Sequence, residues 1–270
     1  MSRRLVVDAW LVLLGLFFAA PYALIVASAF RPTEAISRAP LQIFEGGWSF
    51  ANFSVVLADL DMLALYRNTV VTTTAITACQ IVTAVAAAYA LGRLRPRGGA
   101  VVQSLLVVVL AVPGPALIIP NFLTLDALGM LDTRWALVLP FAATAAGTYL
   151  LTQHVRQVPE TQLQAADLFG LGRWSTFRHV VWPYIAPGAA AFAAFSFVTH
   201  WNAFFWPLIV LRSDANATLP FAIAGYQKQV DGFPDWGPAM AAAALALLPL
   251  AVLLVIVQRY FARTLAYATN

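Results

Sequence analysis

The sequence predicts an all-α integral membrane protein with six crossings. Three observations carry this: a composition unsuited to a water-facing surface, six apolar runs of bilayer length, and one ordered hydrophilic interruption over 164–187. Of 270 residues, 61% are hydrophobic and only 10% charged, with a mean hydropathy of +0.78. A soluble domain of that length would lack the polar side chains needed to cover it. The crossings fall at about 9–30, 68–91, 101–123, 133–153, 187–210 and 237–257, making one transmembrane domain over 1–270.

The first run follows Arg3 and Arg4 and is longer than the core of about 7 to 15 residues typical of a secretory signal, so it reads as an uncleaved helix. A polar segment over 31–66 follows, with Pro32, Pro40, Gly46 and Gly47, and reads as an outer loop. The second run places Thr69, Thr73, Thr77 and Gln80 at helical spacing, so they form one polar stripe. In lipid such groups seek partners inside a bundle, and the stripe either joins helices or lines a passage. Arg93, Arg95 and Arg97 then stop the span.

Pro113, Gly114, Pro115 and Pro120 interrupt the third run, and the carbonyls they free must find partners in neighbouring protein or a wet cavity. The fourth run leads into a hydrophilic loop at about 154–186. The fifth holds His200 and Asn202 among aromatic residues, and His200 reads as a packed or interfacial side chain rather than a proton carrier. A second outer loop over 212–236 contains the sole lysine, Lys228, and the sixth run ends at Gln258, Arg259 and Arg263.

Six crossings put both termini on one side. If that side is cytoplasmic, ten of the 16 basic residues face inward, in keeping with the positive-inside rule. The arginines form no basic stripe of the kind that binds nucleic acid. The single cysteine, Cys79, excludes an intramolecular disulfide.

The interruption itself reads QAADLFGLGRWSTFRHVVWPYIAP over 164–187. Pro159 suits the first turn of a helix, with Glu160 at its favourable end. Gly170 and Gly172 permit a sharp turn. From Trp174 a second helix is predicted, with Trp174, Phe177, Val181 and Tyr184 on one face and Ser175, Arg178 and His179 on another. Pro183 and Pro187 are expected to hold Trp182 and Ala186 extended and end that helix.

These residues resemble the cytoplasmic "EAA" loop, E-A-A-x-x-x-G followed by I-x-L-P, of membrane subunits of binding-protein-dependent ABC importers. Gln164, Ala165, Ala166 and Gly170 match its first part, and Val180, Trp182 and Pro183 stand at its second. Five further stretches, RNTVVTTT at 67–74, AAYALGRLRPRG at 87–98, VPGPALIIPNF at 112–122, WNAFFWPLIVL at 201–211 and MAAAALALLP at 240–249, resemble the carbohydrate-uptake branch, the maltose and glycerol-phosphate type permeases. Gln164 departs from the glutamate that names the loop, and Phe169 stands where an aspartate is common. The RTLAYATN end also lacks the glycine-rich, lysine-containing tail of many relatives.

The resemblance implies the type I importer permease fold and a solute of the sugar, polyol, glycoside or glycerol-phosphate class. It implies that Gln164, Ala165, Ala166, Gly170, Arg173, Phe177 and Pro183 meet an ATPase, the small residues by close backbone approach and Pro183 by setting the loop's exit. Thr73, Gln80 and Asn202 are the candidate solute-pathway residues. The implied partners are a second homologous permease subunit, two copies of an ATP-binding subunit, an extracytoplasmic solute-binding protein touching the 212–236 loop, and lipid. The implied location is the bacterial inner membrane.

No cofactor is expected on this chain, and ATP and Mg belong to the ATPase. The sole lysine lacks the glycines of a phosphate loop, His154, His179 and His200 lack metal-ligand spacing, and no GxSxG elbow occurs, so no catalytic or metal residue is expected. A self-contained secondary transporter or channel is the alternative, and it would call for a membrane-embedded carboxylate.

Overall fold

The computed structural model describes residues 2–42, 46–226, 229–230 and 233–268, with side chains from 5 onward except at 229–230, 233–234, 257 and 259–268. Lys228 and the last two residues lie outside the described residues. In chain order the helices are α1 (Ser2–Ala29), α2 (Thr33–Arg38), α3 (Ala51–Asp59), α4 (Met62–Tyr89), α5 (Gly99–Leu110), α6 (Ile118–Ala127) and α7 (Arg134–Val138). They continue with α8 (Ala145–Arg156), α9 (Glu160–Leu168), α10 (Arg173–Thr176), α11 (Trp182–Trp201), α12 (Phe205–Val210), α13 (Leu219–Gly225) and α14 (Trp236–Ala268). The strands β1 (Gln229–Val230) and β2 (Phe233–Pro234) form a two-residue antiparallel pair.

Among the described residues four helical stretches are long and apolar enough to cross a membrane: Leu5–Ala29, Met62–Leu94, Arg173–Trp201 and Trp236–Ile256. Two bent pairs, Gly99–Leu110 with Gly114–Ala127 and Arg134–Phe141 with Ala145–Arg156, bring the number to six when each pair counts as one crossing. The first pair bends by 101°, at the Pro113-Gly114-Pro115 interruption. The second bends by 44° after Pro140. The fifth crossing differs most from expectation. It starts at Arg173 rather than 187 and runs through both prolines, and Trp182 is helical (φ −56°, ψ −44°) rather than extended. A π-turn over Phe177–Val181 accommodates Pro183, because it widens the backbone just before the ring that would otherwise strike the preceding turn, while Pro187 lies inside regular α-helix. The crossing then breaks at Asn202, before α12.

The chain forms two compact units. One comprises residues 1–65 and 219–270. In it α14 packs along α1 and α3. The buried Arg31 donates to the carbonyls of Ala35 and Ala39 at 3.1 and 3.0 Å, stitching α2 down. Asn52 donates to the carbonyls of Ala29 and Arg31 at 2.9 and 2.8 Å and so satisfies the end of α1. Leu5, Trp10, Leu13, Phe17 and Phe18 of α1 are exposed on several sides, as a helix solvated by lipid requires.

The other unit, residues 66–218, has two apolar clusters. Ala84, Ala88, Leu151, Val155, Val181, Ile185 and Ala189 join the lower part of α4 to α8 and α11. Leu125, Ala136, Leu137, Trp206 and Val210 form the second, where the Trp206 indole donates to the Ala136 carbonyl at 2.9 Å. Gly92, in the π-turn Ala90–Leu94 that closes α4, lies against Val155: a β-carbon there would stand 2.6 Å from Val155 Cγ1.

Candidate functional site

Helix α9 begins after Pro159 with Glu160 in its first turn, where a carboxylate complements the exposed N–H groups. Leu163 and Ala166, three residues apart, are its buried face. Its end is a Schellman turn. Leu171 N–H donates to the Ala166 carbonyl and Gly170 N–H to the Asp167 carbonyl, both at 3.0 Å, with Gly170 left-handed at φ +66°. Open space surrounds the position of a Gly170 β-carbon, so this glycine is required by backbone conformation and not by crowding within the chain. Gly172 then caps α10 in extended geometry.

The returning helix is pinned to the rest of its unit. The Tyr89 hydroxyl donates to the Arg173 carbonyl at 3.1 Å, and the Tyr89 and Phe177 rings meet edge-on at 5.2 Å. Gln162 Nε2 donates to the Tyr184 hydroxyl at 2.6 Å, tying α9 to α11. Arg93 pairs with Asp167 at 3.2 Å. That pair is largely solvated and so contributes little energy; the aromatic contact and the buried cluster beneath do most to hold the hairpin.

The hairpin's outer side is apolar. Leu168 and Phe169 are 88% and 84% exposed, and Trp174 is 71% exposed. Large apolar groups held this far into solvent by a fixed turn mark a surface made to be covered. Sequence reasoning registered Phe169 only as a departure from pattern and passed over Leu168. The available signal was two adjacent large apolar residues before a glycine in an otherwise hydrophilic loop.

Of the residues singled out from the sequence, Gln164, Gly170, Arg173 and Pro183 are exposed and Ala165 is half-buried. Ala166 is 3% exposed, so its small side chain serves packing inside this chain rather than approach to another. Phe177 is half-buried, stacked on Trp174 at 5.4 Å and facing Tyr89. Pro183 sits within a continuous helix and marks no exit from it.

The polar stripe of α4 joins helices. Gln80 Nε2 donates to the Phe141 carbonyl at 2.8 Å and lies 3.1 Å from His200 Nε2, while the Ser196 hydroxyl donates to Gln80 Oε1 at 2.8 Å. Thr77 and Ser196 share a hydrogen bond of 3.2 Å. Thr73 is buried beside a void of about 20 Å³, shared with His200 and Phe141, which has room for about one water. Asn202 is exposed at the break between α11 and α12, where its amide donates to the Val198 carbonyl at 2.8 Å.

A polar hub in the same unit was not anticipated. Asp132, left-handed at φ +59°, accepts the N–H groups of Arg212 and Ser213 at 3.0 and 3.1 Å, and its carbonyl accepts from Asn216 at 2.9 Å. The Arg212 N–H, followed by the bonds from Ser213, holds the Asp132 carboxyl below its ordinary range. Asn68, buried in α4, donates to the carbonyls of Ala215 and Ala217, both at 3.0 Å, and accepts from Arg134 at 3.1 Å. Among the described residues no three His, Cys, Asp or Glu side chains group as metal ligands.

The model of the family described as binding-protein-dependent transport system inner membrane component matches residues 80–267. The chain belongs to this family. This permease is 35% identical over 213 residues to an ABC transporter permease protein, ORF1, of Streptomyces antibioticus, covering 78% of this chain and 92% of that one. It is 27% identical over 241 residues to the lactose transport system permease LacG of Rhizobium radiobacter, covering 89% and 87%. It is also 27% identical over 253 residues to the sn-glycerol-3-phosphate transport system permease UgpE of Yersinia pestis, covering 90% and 89%. The permease's fold is shared with a chain of a bacterial ABC transporter involved in the import of the acidic polysaccharide alginate. The TM-score is 0.80 at 22% identity, over 97% of this chain and 98% of that one. The permease is thus a multi-pass inner-membrane transport component.

Proposed function

We propose that the chain is one half of the translocation pathway of an ATP-driven importer and receives its driving force at the 164–187 hairpin from a separate ATPase. The observation that carries this reading is the exposed apolar pair Leu168 and Phe169, held outward by the Schellman turn at Gly170. A protein surface fits this pair: the turn follows the end of a crossing, and the exposed Trp174 extends the apolar surface beside it. The whole of 1–270 acts as a single permease domain with both termini cytoplasmic, which agrees with the excess of arginines on the hairpin's side.

The chain itself is non-catalytic. ATP and Mg reside on two copies of the ATP-binding subunit, a second permease subunit completes the pathway, and a solute-binding protein delivers cargo from outside. The solute class is a sugar or a related polyol, glycoside or glycerol phosphate, supported by the lactose and glycerol-phosphate permeases among its relatives. Gln80 and Thr73 stand behind the pathway, since their hydrogen bonds and burial are directed within this unit. Asn202 is the candidate that faces outward.

The test is to assemble the complex with Phe169→Asp or Gly170→Arg in this chain. Each variant inserts normally, fails to retain the ATPase on purification and loses solute uptake. Uptake that persists with the ATPase still bound would overturn the role given to the hairpin. The solute retained by the co-encoded binding protein identifies the cargo.

A further inference from the structure

We propose that this chain holds one anionic phospholipid in an aromatic groove where α4 meets the start of the Arg173–Trp201 helix. The groove has a volume of about 690 Å³. It is lined by Val82 and Val85 of α4 and by Trp174 and Trp182 of the returning helix, with Arg173 and Arg178 among the lining residues. Tyr89 and Phe177, whose rings meet edge-on, line it as well.

Three features select the occupant. The walls are apolar and belong to two membrane-crossing helices, with Val82 68% exposed, so they meet acyl chains and not water. The two tryptophans stand at the hydrophilic end of their crossing, the depth at which indole rings sit among headgroups. Arg173 and Arg178 are both exposed, and no carboxylate lines the groove. Two guanidiniums without a counter-charge above an apolar slot match a phosphate bearing acyl chains, and basic pockets between transmembrane helices bind such headgroups. A second permease helix would fill the slot but would leave both guanidiniums to find carboxylates of its own.

The intact complex is purified in mild detergent, and its bound lipid is counted by native mass spectrometry with added phosphatidylglycerol or phosphatidylcholine of the same chains. One phosphatidylglycerol is expected to be retained on this chain at least tenfold more tightly than phosphatidylcholine. Arg173→Gln with Arg178→Gln abolishes that preference, and Arg173→Lys with Arg178→Lys keeps most of it. Val85→Trp, which fills the slot, removes the retained lipid while the complex still elutes as assembled. Equal retention of the two lipids, or a glutamine double variant that still prefers phosphatidylglycerol, overturns the proposal. A cysteine introduced by Val82→Cys is expected to label with a lipid-soluble maleimide; its crosslinking to the second permease subunit instead would assign the groove to protein contact and equally overturn it.

Discussion

Replacing Gly92 by alanine tests how closely the base of the hairpin is packed. The new methyl would stand 2.6 Å from Val155 Cγ1 and 2.9 Å from Val155 Cβ, where carbon atoms in contact lie about 3.5–4.0 Å apart. Relief therefore requires a shift of about 1 Å. Val155 is 4% exposed and β-branched within α8, so it has little freedom to rotate away. The backbone of α8 or of the Ala90–Leu94 turn must move instead, and overpacking of this kind costs about 1–3 kcal/mol. Alanine recovers about 0.5–1 kcal/mol over glycine in helical backbone, so against the overpacking cost of about 1–3 kcal/mol the net loss expected is about 0–2.5 kcal/mol. Equilibrium unfolding of the purified permease in mixed micelles reads this directly. Val155→Ala removes the obstructing methyl and, although destabilising alone, should absorb most of the Gly92→Ala penalty when the two are combined. The expected coupling is about 1 kcal/mol, within the range known for residues in contact. A double variant additive to within about 0.5 kcal/mol would refute the close approach and the packing argument built on it.

Two further predictions concern the polar contacts. Gln80→Leu leaves the Ser196 hydroxyl and the Phe141 carbonyl without their amide partner and should destabilise the permease by about 1–3 kcal/mol. Ser196→Ala should cost less in that background than in the wild type, and equal costs in both would show that the contact contributes nothing. For Asp132 the folded pKa is lowered, so its contribution is present above the ordinary carboxylate value of about 3.9 and is lost as pH falls through the lowered value. Asp132→Asn keeps a side chain that tolerates the left-handed backbone but removes the titration. Its unfolding midpoint should lie below the wild type at neutral pH and converge with it in acid; parallel curves would exclude this linkage.

Composition and run length carried most of the fold, because lipid as solvent leaves few ways to satisfy a backbone and helices dominate. The break at Pro113 to Pro115 was legible for the same reason: an unsatisfied carbonyl at that depth must show as a bend. The continuous fifth crossing was not legible. Pro183 and Pro187 read locally as stops, yet the helix passes through both, at Pro183 by way of a π-turn just upstream that has no signature in residue type. In the hairpin, glycine spacing located the turn but not which side chains it would push outward. Ala166 and Phe177 matched expected positions yet face their own chain, while Leu168 and Phe169 carry the exposed surface. The threonine and glutamine stripe was visible as a stripe, but its partners Ser196 and the Phe141 carbonyl lie more than 60 residues away and belong to tertiary structure.

Because the Arg173–Trp201 stretch is one unbroken rod of 29 residues, it measures roughly 43 Å at about 1.5 Å per residue. A hydrocarbon layer is about 30 Å thick, so the rod exceeds it by roughly 13 Å, an excess taken up by tilt or by projection at its ends. The knuckle that bears Phe169 is joined to the start of this rod by three residues, Gly170 to Gly172. On the coupling proposed above, a push at the hairpin enters this rod at Arg173, and toward its far end Ser196 ties it to Gln80 of α4.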